Sequence, residues 1–232
     1  NKERPISVLT DAILSGELKG VVQMAGCNNL RRPQDESHLA ILKELVKNDV
    51  LVVSSGCSSG AFAKAGMLSP QAVDEYAGPG LKAFLKRIED ANPQLISRLP
   101  LVFHLGACVD NTRGMDLAIA MANELGVDIP KVPYAASAPE AMHEKAVAIG
   151  TWCVAMGLPV HVGAMPPIEG SDLIYGITTQ IAHDVFGGHF IFEVDPCEAA
   201  KKIINALEYR TWKLGIHRKA AEKYNTRLAQ GW

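Results

Sequence analysis

Apolar positions in this chain follow two rhythms that alternate along its length. Short runs rich in β-branched residues, Val21 to Ala25, Val50 to Val53, Leu101 to Leu105, Val132 to Ala136, Leu158 to Val162 and Phe190 to Val194, are bounded by Gly, Pro or Asp and predict six strands. Between them, apolar residues recur at helical spacing over 37–48, 80–91, 113–125, 139–156 and 172–186, and a polar helix starts near 196. Near-continuous apolar strands separated by helices are the pattern of a parallel sheet covered on both faces. The expected fold is therefore α/β, a Rossmann-like, doubly wound and mostly parallel sheet with helices on both faces. The helix over 139–156 carries the clearest start signal, because Ser137 and Glu140 have the spacing of a capping box and Pro139 falls in the predicted first turn. No repeat or linker-like stretch interrupts the alternation, so residues 1–232 are expected to form a single domain. The tail, from Tyr209 and Trp212 through Arg218, Lys219 and Arg227, reads as a mixed-charge helix offering a solvated face or a subunit contact.

Composition narrows the function classes. Apolar residues make up 48% and charged residues 21%, which suits a folded soluble protein and excludes disorder. A formal net charge of -2 provides no field for nucleic acid or an anionic membrane. No apolar stretch reaches the roughly 18 to 20 residues that cross a bilayer, and the polar start Asn1 to Pro5 is not a signal peptide. Five dispersed cysteines do not make a secreted disulfide framework, so reduced thiols in a cytoplasmic protein are expected. The first residue is Asn, not Met, which leads to the expectation that the chain is the end of a longer polypeptide.

Three of the cysteines stand out by position. Gly26-Cys27, Gly56-Cys57 and Gly106-Ala107-Cys108 each follow a predicted strand. In a parallel α/β sheet such turns lie together at the carboxyl edge, where ligands bind. Glycine there lets the backbone approach a bulky ligand, and thiolate is the group that holds iron-sulfur clusters and soft metals. The three thiols are expected to meet at one point and hold metal. Cys153, in the apolar helical run Thr151 to Met156, and Cys197, at a helix start after Asp195-Pro196, are expected to be structural. A competing motif overlaps the second turn: Gly56-Cys57-Ser58-Ser59-Gly60 matches G-x-S-x-G, the nucleophile elbow of α/β-hydrolases, with Ser58 as nucleophile and His161, His183 or His189 downstream. It accounts for one turn and leaves Cys27 and Cys108 as coincidences. A G-x-G-x-x-G fingerprint does not follow the first strand.

Four separated motifs carry a resemblance. They are Ala25-Gly26-Cys27-Asn28-Asn29 with Pro33-Gln34-Asp35, Asn48 to Val53 leading to Gly56-Cys57, Cys108-Val109-Asp110-Asn111, and Pro139-Glu140-Ala141-Met142 through Glu144 to Trp152. In this order and spacing the chain closely resembles the C-terminal part of the catalytic subunit of nickel-iron-sulfur carbon monoxide dehydrogenase. The resemblance implies a prismane or hybrid-cluster-like α/β domain and an oxidoreductase that reversibly converts CO and water to CO2. It also implies a cofactor, the nickel-iron-sulfur C-cluster (Ni-4Fe-4S), with Cys27 and Cys57 holding irons of the cage and Cys108 holding nickel. Lys145 would stand beside the nickel and donate to an oxygen of CO2, and Ile149, one turn further along the helix, would wall the pocket. The family's remaining ligands, a His and further Cys, and its electron-relay 4Fe-4S clusters have no counterpart in this chain, so His104 and His161 are not counted as ligands. The partners implied are a ferredoxin-type electron acceptor, a second copy of the full subunit in a homodimer, and an acetyl-CoA synthase subunit, with no nucleic acid and no membrane span. Two alternatives stay open: a hybrid-cluster protein that reduces hydroxylamine or nitric oxide, and a metal-free scaffold domain.

Overall fold

A computed structural model describes residues 6–94 and 97–215. All six predicted runs form strands: β1 Gly20–Met24, β2 Val50–Ser55, β3 Val102–Gly106, β4 Tyr134–Ala138, β5 Pro159–Val162 and β6 His189–Phe192. Every neighbouring pair is parallel, and the order is β3-β2-β1-β4-β5-β6. That is the strand order of the doubly wound dinucleotide-binding sheets, with its reversal of direction between β1 and β4. All residues of β1, β2 and β5 are buried. Successive side chains of a strand point to opposite faces, so this sheet is covered on both.

The helices are α1 Ser7–Leu14, α2 Glu36–Lys47, α3 Gly56–Lys64, α4 Pro70–Tyr76, α5 Pro79–Ala91, α6 Asn111–Leu125, α7 His143–Ala155, α8 Asp172–Gly176, α9 Ala182–Phe186 and α10 Pro196–Lys213. A π-helical turn, Ile177–Ile181, joins α8 to α9 within the stretch predicted as one helix. Sequence periodicity misses α1, α3 and α4. α1 spans only 8 residues and α4 only 7, and α3 contains small residues in place of a clean apolar stripe. The polar tail beyond Gly215, with Arg218, Lys219 and Arg227, lies outside the described residues.

The capping box proposed at Ser137 and Glu140 is corrected. Ser137 belongs to β4, the helix starts at His143, and its N-cap, Met142, has no side-chain capping bond. Tertiary partners outbid the local cap: Ser137 Oγ pairs with His161 Nδ1 at 2.8 Å, and the buried Glu140 carboxylate is bonded to other loops. The same shift moves the fourth strand two residues later than its apolar run suggests.

Arg210 of α10 closes the far side of the sheet. It is 3% exposed, and its guanidinium donates to the carbonyls of Ile129, Val132, Gly157 and Gly187 at 2.6–3.2 Å. Burial pushes its pKa down to about 10, so it stays charged at neutral pH. A planar fork of donors suits four carbonyls from three loops, where an ammonium could not reach them all. Arg210→Met is expected to leave these carbonyls without a partner and to cost about 3 kcal/mol or more, read as a lower denaturant midpoint.

Candidate metal centre

Parallel pairing in register sets the ends of β1, β2, β3 and β4 side by side: Met24 lies opposite Ser54 and Ser137, and Ser54 opposite His104. The chain reversals after β1, β2 and β3 are each built on a glycine. Gly26 turns at φ 105° beside Ala138, and Gly56 adopts φ 61° where β2 passes into α3. A Cβ on Gly56 would lie 2.5 Å from Cys108 Sγ, so only glycine lets that thiol cross the start of α3. Cys57 then occupies the first turn of α3, and Cys108 opens the short 3-10 turn Cys108–Asp110 ahead of α6.

The thiols border one opening. Cys27 and Cys108 line a cavity of about 50 Å³ together with Asn111, Lys145, Ile149 and Cys153, walled otherwise mostly by alanine and glycine, with Ser137, Met142 and Val160. Cys57 is exposed and lies near enough to Cys27, Cys108 and Lys145 to feel their charge. Partial loss of hydration first, and then the Cys27 and Cys108 thiols, push its thiol up, while the Lys145 ammonium pulls it down. Cys27, Cys57, Cys108, Lys145 and Ile149 are thus brought to one edge, with Lys145 and Ile149 a turn apart on α7. No three His, Cys, Asp or Glu among the described residues are placed to hold one ion, so the thiols face one opening without forming a single-ion site. Thiolates that each take a different metal of a cluster need not share a point.

Two buried polar networks support this edge. Asn111 Oδ1 accepts from Gln23 Nε2 at 3.1 Å and from Ser55 Oγ, and the fully buried Tyr134 hydroxyl donates to Gln23 Oε1 at 3.2 Å. These bonds tie α6, just after Cys108, to β1, β2 and β4. On the other side His38 Nε2 donates to the Cys27 carbonyl at 3.2 Å, and His38 Nδ1 lies 3.1 Å from Ser58 Oγ. Ser58 Oγ donates to the Ala25 carbonyl at 2.7 Å. A buried hydroxyl committed to the main chain is not presented to a substrate, so the hydrolase reading of Ser58 is set aside. Sequence reasoning missed His38, although it occupies the buried face of α2 with Ile41, Leu42 and Leu45, a position where a histidine must find partners. Burial pushes its pKa down, opposed by the Glu140 carboxylate.

The other cysteines and histidines behave as expected structurally. Cys153 is buried, its thiol pushed up to about 12, and Cys197 follows the N-cap Asp195 of α10. His104 Nδ1 pairs with Ser59 Oγ at 2.8 Å.

A family model described as Prismane/CO dehydrogenase matches residues 1–197. The chain belongs to the prismane/CO dehydrogenase family. It is 62% identical over 233 residues to carbon monoxide dehydrogenase/acetyl-CoA synthase subunit beta of Moorella thermoacetica, covering 100% of this chain and 34% of that protein. Among solved structures, carbon monoxide dehydrogenase IV from Carboxydothermus hydrogenoformans superposes with a TM-score of 0.88 at 48% identity, over 92% of this chain and 34% of that one. An acetyl-CoA synthase/carbon monoxide dehydrogenase described by NiZn[Fe4S4] and NiNi[Fe4S4] clusters in its alpha subunits gives 0.91 at 61% identity, over 100% of this chain and 34% of that one. The chain spans about one third of the length of these family members.

Within this family fold, His161 is a structural residue. It is fully buried, its Nε2 donates to the Glu193 carbonyl at 2.9 Å, and its Nδ1 accepts from Ser137. Burial pushes its pKa down to about 4. A histidine lowered on folding binds its proton more readily when unfolded, so it destabilises the fold as pH falls from about 6.5 toward about 4. His161→Gln is expected to flatten the decline of unfolding free energy with acidity across that interval, measured by urea titrations at several pH values. An unchanged slope would show that His161 does not titrate this way.

Proposed function

We propose that this chain is the cluster-holding part of an enzyme that interconverts carbon monoxide and carbon dioxide, CO + H2O ⇌ CO2 + 2 H⁺ + 2 e⁻. The observation that carries this reading is the meeting of three glycine-cysteine turns and Lys145 at one opening on the carboxyl edge of the sheet. The donor set fits an iron-sulfur assembly: the thiols are soft, free of disulfides, and set among small residues at an open edge. Cys27 and Cys57 would hold cage irons and Cys108 nickel in a Ni-4Fe-4S C-cluster. The other ligands and the relay 4Fe-4S clusters would come from outside this segment. When bound, the cluster supplies a coordination place for the gas and takes up its two electrons.

The chain's own residues do the rest. Lys145 Nζ donates to an oxygen of CO2, and a charge-assisted hydrogen bond of this kind contributes about 1.5 to 3 kcal/mol, or roughly ten- to a hundredfold in rate. Ile149 and the alanines give the opening an apolar wall beside Lys145. Electrons pass to a ferredoxin-type acceptor, and the full subunit acts as a homodimer. Association with an acetyl-CoA synthase subunit is supported by the name of the Moorella relative. Free thiols support a cytoplasmic place, and no helix among the described residues is long and apolar enough to cross a membrane.

In the nickel-loaded, full-length protein, Lys145→Ala is expected to lower the kcat of CO-dependent viologen reduction by about ten- to a hundredfold while nickel and iron contents hold. Cys108→Ala is expected to abolish both nickel retention and activity, whereas Cys153→Ala costs packing alone. Equal losses from the two cysteine variants, or a wild-type protein without nickel, would refute the reading.

A further inference from the structure

The Cys27 turn and the lysine helix come from distant parts of the chain, and one buried group joins them. Glu140 is 0% exposed and stands in the loop between β4 and α7, just ahead of Lys145. Its Oε2 accepts from Asn28 Nδ2 at 3.0 Å and from the Asp35 amide at 3.0 Å, and its Oε1 accepts from the Ser37 amide at 3.0 Å. Asn28 follows Cys27 directly and also donates to Asp35 Oδ1 at 2.8 Å. The next residue repeats the attachment, since Asn29 Nδ2 donates to the Ala141 carbonyl at 3.0 Å. Asp35 in turn pairs with Lys64 at the end of α3, the helix that carries Cys57.

This wiring is unusual for its cost. Burying a carboxylate is unfavourable unless donors replace its water, and here three donors from two segments do so. A hydrophobic residue of similar size would fill the space more cheaply, yet it would leave two amides of the α2 entry without an acceptor and Asn28 with Asp35 alone. What the carboxylate provides is registration: the loop that delivers Lys145 cannot shift without breaking bonds to the residue behind Cys27. Lys145 itself is exposed at the opening, so its long side chain depends on its backbone for position.

Building on the function proposed above, we infer that Glu140 is a positioning residue that locks the Lys145 helix to the Cys27 turn through Asn28 and the α2 entry. Glu140→Gln keeps the shape but sets an NH2 group against donors on one side. The test has two arms in the full-length protein. In the metal-free form, hydrogen exchange of the Asp35 and Ser37 amides is expected to accelerate about tenfold or more in Glu140→Gln, with β5 unchanged. In the metal-loaded form, Glu140→Gln is expected to lower the kcat of CO oxidation about tenfold, whereas Glu140→Gln combined with Lys145→Ala falls no further than Lys145→Ala alone. Losses that multiply would mean that Glu140 acts independently of Lys145, and unaltered exchange would mean that it does not hold the α2 entry; either overturns the inference. Should Glu140→Gln fail to fold, Asn28→Ala, which removes the bonds from the Cys27 turn to Glu140 and Asp35 but leaves both α2-entry amides on the carboxylate, enters the same cycle with Lys145→Ala and is read in the same way. A wild-type protein without CO oxidation would instead sink the proposed function, and the exchange arm would then decide the lock alone.

Discussion

Everything at the candidate centre rests on parallel strand pairing in register. Hydrogen bonds along β3, β2, β1 and β4 bring four strand ends level, and whatever follows each strand is delivered to one edge. The three cysteines are far apart in sequence and none contacts another through local structure. Their common location follows from the ladder, with the hydrophobic core on both faces making the ladder rigid. The reversal of strand order between β1 and β4 opens the crevice there, and the Cys27 turn and the loop leading to Lys145 are its two lips.

Polar groups buried around this edge divide the labour. Gln23, Ser55, Asn111 and Tyr134 hold the segment after Cys108, while His38, Ser58, Glu140 and the two asparagines hold the Cys27 and Cys57 turns. Such networks contribute little net stability, because each group gives up water to enter them. Their effect is to select one arrangement of the loops. A cluster whose metals are bound by separate turns needs that selection more than it needs a stronger fold, since a thiolate displaced by about an ångström no longer completes the site. At the opposite end of the sheet Arg210 performs a purely structural version of the same task, drawing four carbonyls onto one cation.

Sequence periodicity located all six strands, and most of the longer helices, because their apolar stripes are long enough to average out local exceptions. It failed where short-range and long-range bonds compete. Ser137 and Glu140 have the spacing of a cap, but Ser137 pairs with His161 across β4 and β5, and Glu140 reaches the α2 entry. Both partners lie too far along the chain for a local motif to reveal them. The overlapping Ser58 motif failed likewise, because the hydroxyl is spent on the Ala25 carbonyl.

The amino-acid sequence by itself determined the α/β class, the glycines that allow tight reversals, and the chemical character of the edge: three thiols and a lysine on a helix of small residues. These are properties of residue type and local spacing, and they hold in whatever order the strands assemble. Only the tertiary structure decided that the thiols border an opening and do not close on one ion, that Lys145 faces the same space, and that His38 and Glu140 stand behind them. Those relations arise from strand order and from hydrogen bonds between residues a hundred positions apart, which no pattern along the chain encodes.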